Sequence, residues 1–449
     1  MSLPRYPRYR HSGTDWLGEV PSSWRTAPLW TLFRRNKRLG HEGEQLLSVY
    51  RDHGVVPKAS RDDNNNKASE DLSVYQLVEP GDLAINKMKA WQGSVAISGH
   101  RGIVSPAYFV YGANHQENAR YLHYLLRSSR YVTQYLSISK GIRINQWDLD
   151  PQHHSRMPVV LPPISDQLAI ATFLDRETAK IGALIAEQEK LIALLADKRQ
   201  ATISHVLTRG LNPDAPMRDS GVTWLGEVPA HWKVGKAGFY VSVLPGYAFP
   251  SAGFSFDERD VRLLRGINVA VRELRWDEVV YWRRTEADGL APFELKAGDV
   301  VIGMDRPLIS GGMRVATVRS VDVPCLLLQR VAKIQPGRSI EGRFIMRLLS
   351  SRSFEAHFSP ETTGVSVPHI SGEQISTFLI PVPPMDEQRR ICDFVEVELG
   401  KLDELNREAG VAIELLSERR SALISAAVTG QIDVRGAISH SVVQEELAA

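Results

Sequence analysis

The chain has 449 residues, 43% hydrophobic and 24% charged, with a formal net charge of +2. That leaves room for two or more full cores and argues against general disorder, while so small a net charge decides nothing about nucleic acid. The two cysteines, Cys325 and Cys392, form no Cys-x-x-Cys or Cys/His cluster, so they read as buried apolar fillers in a reducing compartment. No stretch approaches the roughly 20 apolar residues of a membrane helix. Met1 to Arg10 leads into no apolar run, so no signal peptide is expected and the protein is read as cytoplasmic, without membrane contact.

The chain repeats itself. Trp16-Leu17-Gly18-Glu19-Val20-Pro21, closed by Trp24, returns as Trp224-Leu225-Gly226-Glu227-Val228-Pro229, closed by Trp232. Residues 25 to about 155 read as a mixed α/β domain. Gly81-Asp82 turns into the strand-like run Leu83-Ala84-Ile85, Ser94 to Ile97 and Ile103 to Tyr111 continue in strands, and Glu117 to Tyr135 switches to helical spacing, with Tyr121, Leu122, Leu125, Leu126 and Tyr135 near one face. Pro162-Pro163 then precedes Asp166-Gln167 and a Pro-free segment to about Thr208, rich in Ala, Leu, Glu, Gln, Lys and Arg, which predicts one long helix. Ile181, Gln188 and Leu195 recur at heptad spacing with Leu184 and Leu191 between them. Ser165 is the expected N-cap, and Gly210 stands where a left-handed cap would end the helix.

Residues 210 to 223 read as a linker, and the second half follows the same order. Gly298-Asp299 precedes Val300-Val301-Ile302, Val315 to Val318 and Leu326 to Ile334 are strand-like, and Phe344 to Phe358 is helical. Even a local string recurs, Leu125-Leu126-Arg127-Ser128-Ser129-Arg130 against Leu348-Leu349-Ser350-Ser351-Arg352. Pro383-Pro384 and Glu387-Gln388 open a second long helix with Asp386 as expected N-cap, a heptad row of Leu402, Ala409, Leu416 and Leu423, Leu405 and Ala412 interleaved, and Gly430 at its end. The tail after about Val434 reads as frayed. The expected domains are 1–155, 156–210, 211–375, 376–434 and the tail 435–449. A repeat near half the chain implies two tandem copies of one unit: constant parts form a frame, and divergent parts are what it presents.

In the first variable region, Asn86 to Gly93 combines Lys87 and Lys89, which suit phosphates, with Gln92, which suits adenine, and Trp91. The alternative is a solvated hairpin tip with Trp91 returning to the core. Gly141 to Trp147 offers Arg143 for guanine and Asn145 or Gln146 for adenine, or else is a structural strand; Arg61 to Lys67, with three asparagines, is a weaker candidate. In the second region Arg306, Arg314, Gln329 and Arg330 fall at loops or strand ends, Gly364 to His369 corresponds in position to the Arg143 loop, and Gly311 and Gly312 would let backbone approach a phosphate. The alternative is surface charge with tight turns. Arg199 and Arg420, at equivalent places late in the helices, face either a partner subunit or solvent, and His153, His154 and His205 lack metal-ligand company.

The order of motif, variable domain, Pro-Pro-x-x-(Asp/Glu)-Gln and long helix, repeated once from about Thr14 to Gly430, resembles the specificity subunit of type I restriction-modification systems. The resemblance implies an α+β chain with an internal pseudo-two-fold repeat: two α/β target recognition domains, each reading one half of a split site in double-stranded DNA, and two long helices forming an antiparallel coiled coil. It implies that the helices fix the spacing of the half-sites and dock two methyltransferase (M) subunits, which use S-adenosylmethionine, and that restriction endonuclease (R) subunits complete the complex. The sequence itself shows no phosphate-cradling Gly-rich motif, no Asn/Asp-Pro-Pro-Tyr/Phe and no evident nuclease carboxylate cluster. No cofactor, no metal and no catalysis by this chain are therefore expected. The competing readings are a coiled-coil scaffold with two protein-binding domains and a self-contained methyltransferase with diverged motifs.

Overall fold

The computed structural model describes residues 3–61, 69–143, 146–309, 311–362 and 368–437. Two compact units divide the chain: residues 1–189 with 410–449, and residues 190–409. The long helices, Ile164–Arg209 and Met385–Val428, thus each contribute one half to each unit.

The first unit carries a four-stranded antiparallel sheet ordered Phe33–Arg35, Tyr108–Ala113, Leu83–Asn86, Val95–Ile97. The second repeats that order with Val241–Pro245, Val331–Pro336, Val300–Gly303, Val315–Thr317. Each expected helical region is a pair of helices, Ala119–Arg127 with Ser129–Ser137, and Gly342–Leu349 with Arg352–Thr362. The recurring Ser explains both breaks. Ser128 Oγ donates to the Leu125 carbonyl at 2.8 Å and Ser351 Oγ to that of Leu348 at 2.7 Å, each taking a carbonyl at the end of a helix. Tyr121, Leu122, Leu125, Leu126 and Tyr135 are buried as their spacing predicts. The strand-like run from Ile103 divides at Ser105-Pro106, because Gly102–Val104 pairs with Gln76–Val78 instead of joining the main sheet. Cys325 and Cys392 are buried, and burial raises both thiols to about 12.

The repeated motifs have structural reasons. Glu19–Pro21 pairs with Tyr9–His11, and Glu227–Pro229 pairs with Met217–Asp219, so part of the expected linker is a strand. Gln167 and Gln388 are fully buried. Gln167 accepts from the Asn118 N–H at 2.9 Å and donates to the Pro162 carbonyl at 2.9 Å; Gln388 accepts from the Glu341 N–H at 2.9 Å and donates to the Pro383 carbonyl at 2.8 Å. One side chain therefore joins the start of a long helix to the N-cap residue of a short one, in both units. Arg120 with Asp175 at 2.8 Å and Arg343 with Glu396 at 3.2 Å reinforce the same joint.

The helix starts depart from expectation by a residue or two. The helices begin at Ile164 and Met385, and the carbonyls of Pro163 and Pro384 receive the N–H groups of Gln167 and Gln388 at 3.0 Å. Proline thus serves at the boundary, where it needs no N–H, and Ser165 and Asp386 lie in the first turn. The glycine caps are as read, with φ of +73° at both Gly210 and Gly430. Each closes on a motif tryptophan, Gly210 on Trp232 and Gly430 on Trp24.

In the second unit the helix halves run antiparallel, since Arg199 pairs with Asp403 while Gly210 lies beside Glu387. Ile181, Leu195, Leu402 and Ala409 are buried as the heptad rows predict. The interleaved residues are not: Leu184, Leu191 and Leu405 are 52%, 40% and 46% exposed. The half-buried row lies one residue later, at Ile185, Ile192 and Arg199. A 4-3 alternation satisfies the same average period as a 3-4 alternation, and packing selects it here.

Candidate nucleic-acid interface

In the first unit the loop after Leu83–Asn86 folds on itself. The Lys89 N–H reaches the Asn86 carbonyl at 3.1 Å, Ala90–Gln92 forms a 3-10 turn, and Gly93, with φ +93°, closes it. Ser139–Arg143 and Gln146–Leu149 form a hairpin in which Arg143 stands opposite Gln146. Two contacts join hairpin to loop: the Leu149 N–H donates to the Lys87 carbonyl at 2.9 Å, and the Trp91 and Trp147 rings lie 4.8 Å apart. Trp91 is half-buried against that ring and does not return to the main core. The structure therefore brings Lys87, Lys89 and Gln92 beside the hairpin that carries Arg143 and Gln146. Lys89 and Gln92 are exposed and Lys87 half-buried, and neither lysine forms an ion pair among the described residues. Asn145 and the Asn64 to Lys67 stretch lie outside the described residues.

The second unit gathers its candidates around one carboxylate. Asp305 receives Arg330 Nη1 on both oxygens at 3.0 Å and His369 Nδ1 at 2.6 Å. Its backbone carbonyl accepts from Arg314 Nη1 at 3.1 Å, while Arg314 Nε donates to the Val269 carbonyl at 2.7 Å. Arg306 follows with φ +43°, its N–H on the Pro368 carbonyl at 2.7 Å and its side chain exposed. Gln329 is exposed beside Arg330. Arg306, Arg314, Arg330 and His369 thus converge, as their separate loops gave no means to foresee. Arg314 is half-buried, and burial lowers its pKa from the usual guanidinium range; its guanidinium already latches two backbone segments. Gly311 and Gly312, with φ +101° and +131°, leave the neighbouring turn without a clash. Gly364 to Val367 lie outside the described residues.

Asp305 is the residue the sequence reading undervalued: it sits among the cations it holds, and pairing across distant positions leaves no local signal. Among the described residues no group of His, Cys, Asp and Glu could hold a metal ion, and no helix is long and apolar enough to cross a membrane. His154 is fully buried, and His153 and His205 are exposed.

Residues 290–414 match the family model of the type I restriction modification DNA specificity domain. The specificity subunit of the type I restriction enzyme MjaVIII of Methanocaldococcus jannaschii is 26% identical over 77% of this chain and 78% of its own length. Over most of its length the chain is similar to type I restriction-modification specificity subunits. Within that family, the EcoAI specificity subunit of Escherichia coli is 31% identical over 51% of this chain but only 38% of its own length, and the EcoKI subunit of Escherichia coli K12 is 20% identical over 92% and 90%. For the fold, a chain from a structure of type I restriction-modification complex assembly and conformational transition aligns with a TM-score of 0.63 at 16% identity, covering 91% of this chain and 98% of that chain. The HsdS subunit of Thermoanaerobacter tengcongensis aligns with a TM-score of 0.52 at 16% identity, covering 92% and 98%.

Proposed function

We propose that this chain, as a specificity subunit, reads an asymmetric, two-part site in double-stranded DNA, one half with residues 25–155 and the other with 233–375. The observation that carries the reading is the same sheet order in both units, followed at the same strand end by loops of different chemistry. Lysines, a glutamine and a paired hairpin stand in one; arginines held by Asp305 stand in the other. Loops of unlike donor pattern on like scaffolds suit recognition of two unlike sequences. Lys87, Lys89, Gln92, Arg143, Asn145 and Gln146 would serve the first half-site, and Arg306, Gln329, Arg330 and His369 the second, with Arg314 latching the loop that carries them. The chain would be the non-catalytic, cytoplasmic member of its complex. The exposed Leu184, Leu191, Leu194, Leu405 and Leu415 of the long helices would be apolar surface for two methyltransferase subunits, with endonuclease subunits joining through them. Replacing residues 25–155 by the first domain of another family member, then mapping methylated adenines, should change one half-site only. A change in both halves, or in neither, overturns the assignment.

A further inference from the structure

Each unit contains an arginine-lined recess that the loops above do not account for. In the first, a groove of about 1060 Å³ runs from Trp91 and Gln92 on the reading loop to Arg420 on the long helix, with Arg51 and Arg127 along it. Arg127 spends two nitrogens on neutral partners, His123 Nε2 and the Arg51 carbonyl, and its Nε is buried without a partner. The carboxylates lining the groove are Asp52, beside Arg51, and Asp175, held by Arg120 and by Tyr124. Neither forms an ion pair with Arg127 or Arg420.

In the second unit a recess of about 70 Å³ is lined by Arg199, Arg272 and Arg347, with Gly311 of the second reading loop at its edge. Arg199 pairs with Asp403, whereas Arg272 and Arg347 form no ion pair among the described residues. Burial, and then the neighbouring guanidiniums, lower the pKa of Arg272; Arg347 is lowered by burial first, with Arg199 adding to it against the pull of Glu396 and Cys392. Arg199 and Arg420 stand at equivalent places in the repeat, as do Gln167 and Gln388. Asp52 in the first recess, and Asp403 and Glu396 in the second, offset part of the mutual repulsion of these guanidiniums, and an anion from outside would relieve the rest.

We propose that these two recesses seat backbone phosphates of the duplex beside each half-site, so that Arg420 and Arg199 anchor DNA without reading its sequence. The inference rests on the DNA-reading assignment above. It explains why the repeat retains an arginine at this place in both long helices while the adjoining loops differ. A recess bordered by the reading loop receives the strand whose bases that loop meets, and guanidinium is suited to phosphate oxygens.

The test uses the full chain and short duplexes, one carrying the mapped site and one scrambled, titrated by fluorescence anisotropy across a salt series. Each phosphate contact contributes about 0.9 to the slope of log affinity against log salt. Arg420→Gln and Arg272→Gln should each flatten the slope by about one, weaken both duplexes by the same factor, and leave the half-site preference intact. Arg420→Lys keeps the charge and should restore the slope, which a merely structural role would not do. Unchanged slopes in both glutamine variants overturn the proposal, as does a defect appearing only when methyltransferase subunit is added, which would assign the recesses to an acidic segment of that partner. A wild-type chain that binds no duplex would instead overturn the DNA-reading assignment itself.

Discussion

In the first unit Lys87 and Lys89 project from a loop braced by backbone bonds, the Asn86 and Trp91 side chains on Met88, and the Trp91–Trp147 contact, with no carboxylate on either lysine among the described residues. At the corresponding strand end of the second, Arg330 and His369 are held by Asp305 and Arg314 latches two carbonyls. A free lysine meets a phosphate at the cost of its own hydration. A guanidinium already seated on Asp305 must exchange a carboxylate for a base or phosphate, so the second loop is ordered before binding and charges less of its donor set to non-specific contact. If both loops read DNA as proposed, similar scaffolds would present one loop ready to bind and one held in reserve.

The scaffolds themselves are not equally tight, and the largest expected effect tests this. A Cβ on Gly430 would lie 2.4 Å from Pro21, whereas one on Gly210 meets nothing closer than 3.0 Å. Both share positive φ, a penalty of about 1–2 kcal/mol for alanine. Overpacking adds about 1–3 kcal/mol at the first site. Gly430→Ala should therefore lower the denaturant midpoint of the first unit well beyond what Gly210→Ala does to the second; equal losses would contradict the packing difference.

Acid should separate the units next. His154 is fully buried with neither ring nitrogen partnered, and burial lowers its pKa to about 4. An unfolded chain titrates near 6.5, so the folded state binds fewer protons, and stability present above about 6.5 is lost as pH falls toward 4, by up to about 3 kcal/mol. The histidines of the second unit, at 205, 231, 357 and 369, are all exposed. Hydrogen exchange between pH 6.5 and 4.5 should open the first unit before the second, and simultaneous opening would sink the idea.

Gln167→Ala and Gln388→Ala sharpen the likeness instead. Each removes a buried clamp and strands backbone partners, at about 2 kcal/mol, and melting should show similar losses for both. Loop variants come lower. Arg314→Ala should cost about 1–2 kcal/mol of stability through its lost carbonyl bonds, whereas Arg143→Ala should relax specificity at one position of the first half-site, by about 1–3 kcal/mol of binding. A stable Arg314→Ala protein with one relaxed base pair would make Arg314 a reader and not a latch. Smallest is Asp305→Asn, which frees Arg330 and His369: non-specific duplex binding should tighten by less than about 1 kcal/mol, and weaker binding would mean Asp305 shapes the loop rather than restraining it.

What the sequence disclosed divides by range of interaction. The long helices, their glycine caps and the apolar face of Tyr121 to Tyr135 follow from local periodicity and backbone preference, and these were legible. The second seam row was not, because Leu184 and Ile185, like Leu191 and Ile192, offer equal hydrophobicity on adjacent rows, and only packing chooses between them. In the loops, residue type marked the cations. Their grouping on Asp305 depends on contacts from position 305 to 330 and 369, which no spacing rule encodes, and the clamp role of Gln167 and Gln388 needed the short helices they hold.

The cap at Gly430 carries a consequence for the order in which the molecule matures. The core of the first unit includes Ala427, Val428 and Val434, and the Tyr9 hydroxyl donates to the Gly430 carbonyl at 2.8 Å. A domain whose strands and helices come from residues 3–189 is therefore finished by residues 427–434. While the second unit is being synthesised, the nascent first unit exposes the apolar seat of a helix that does not yet exist, and translation must pass Val434 before that seat closes.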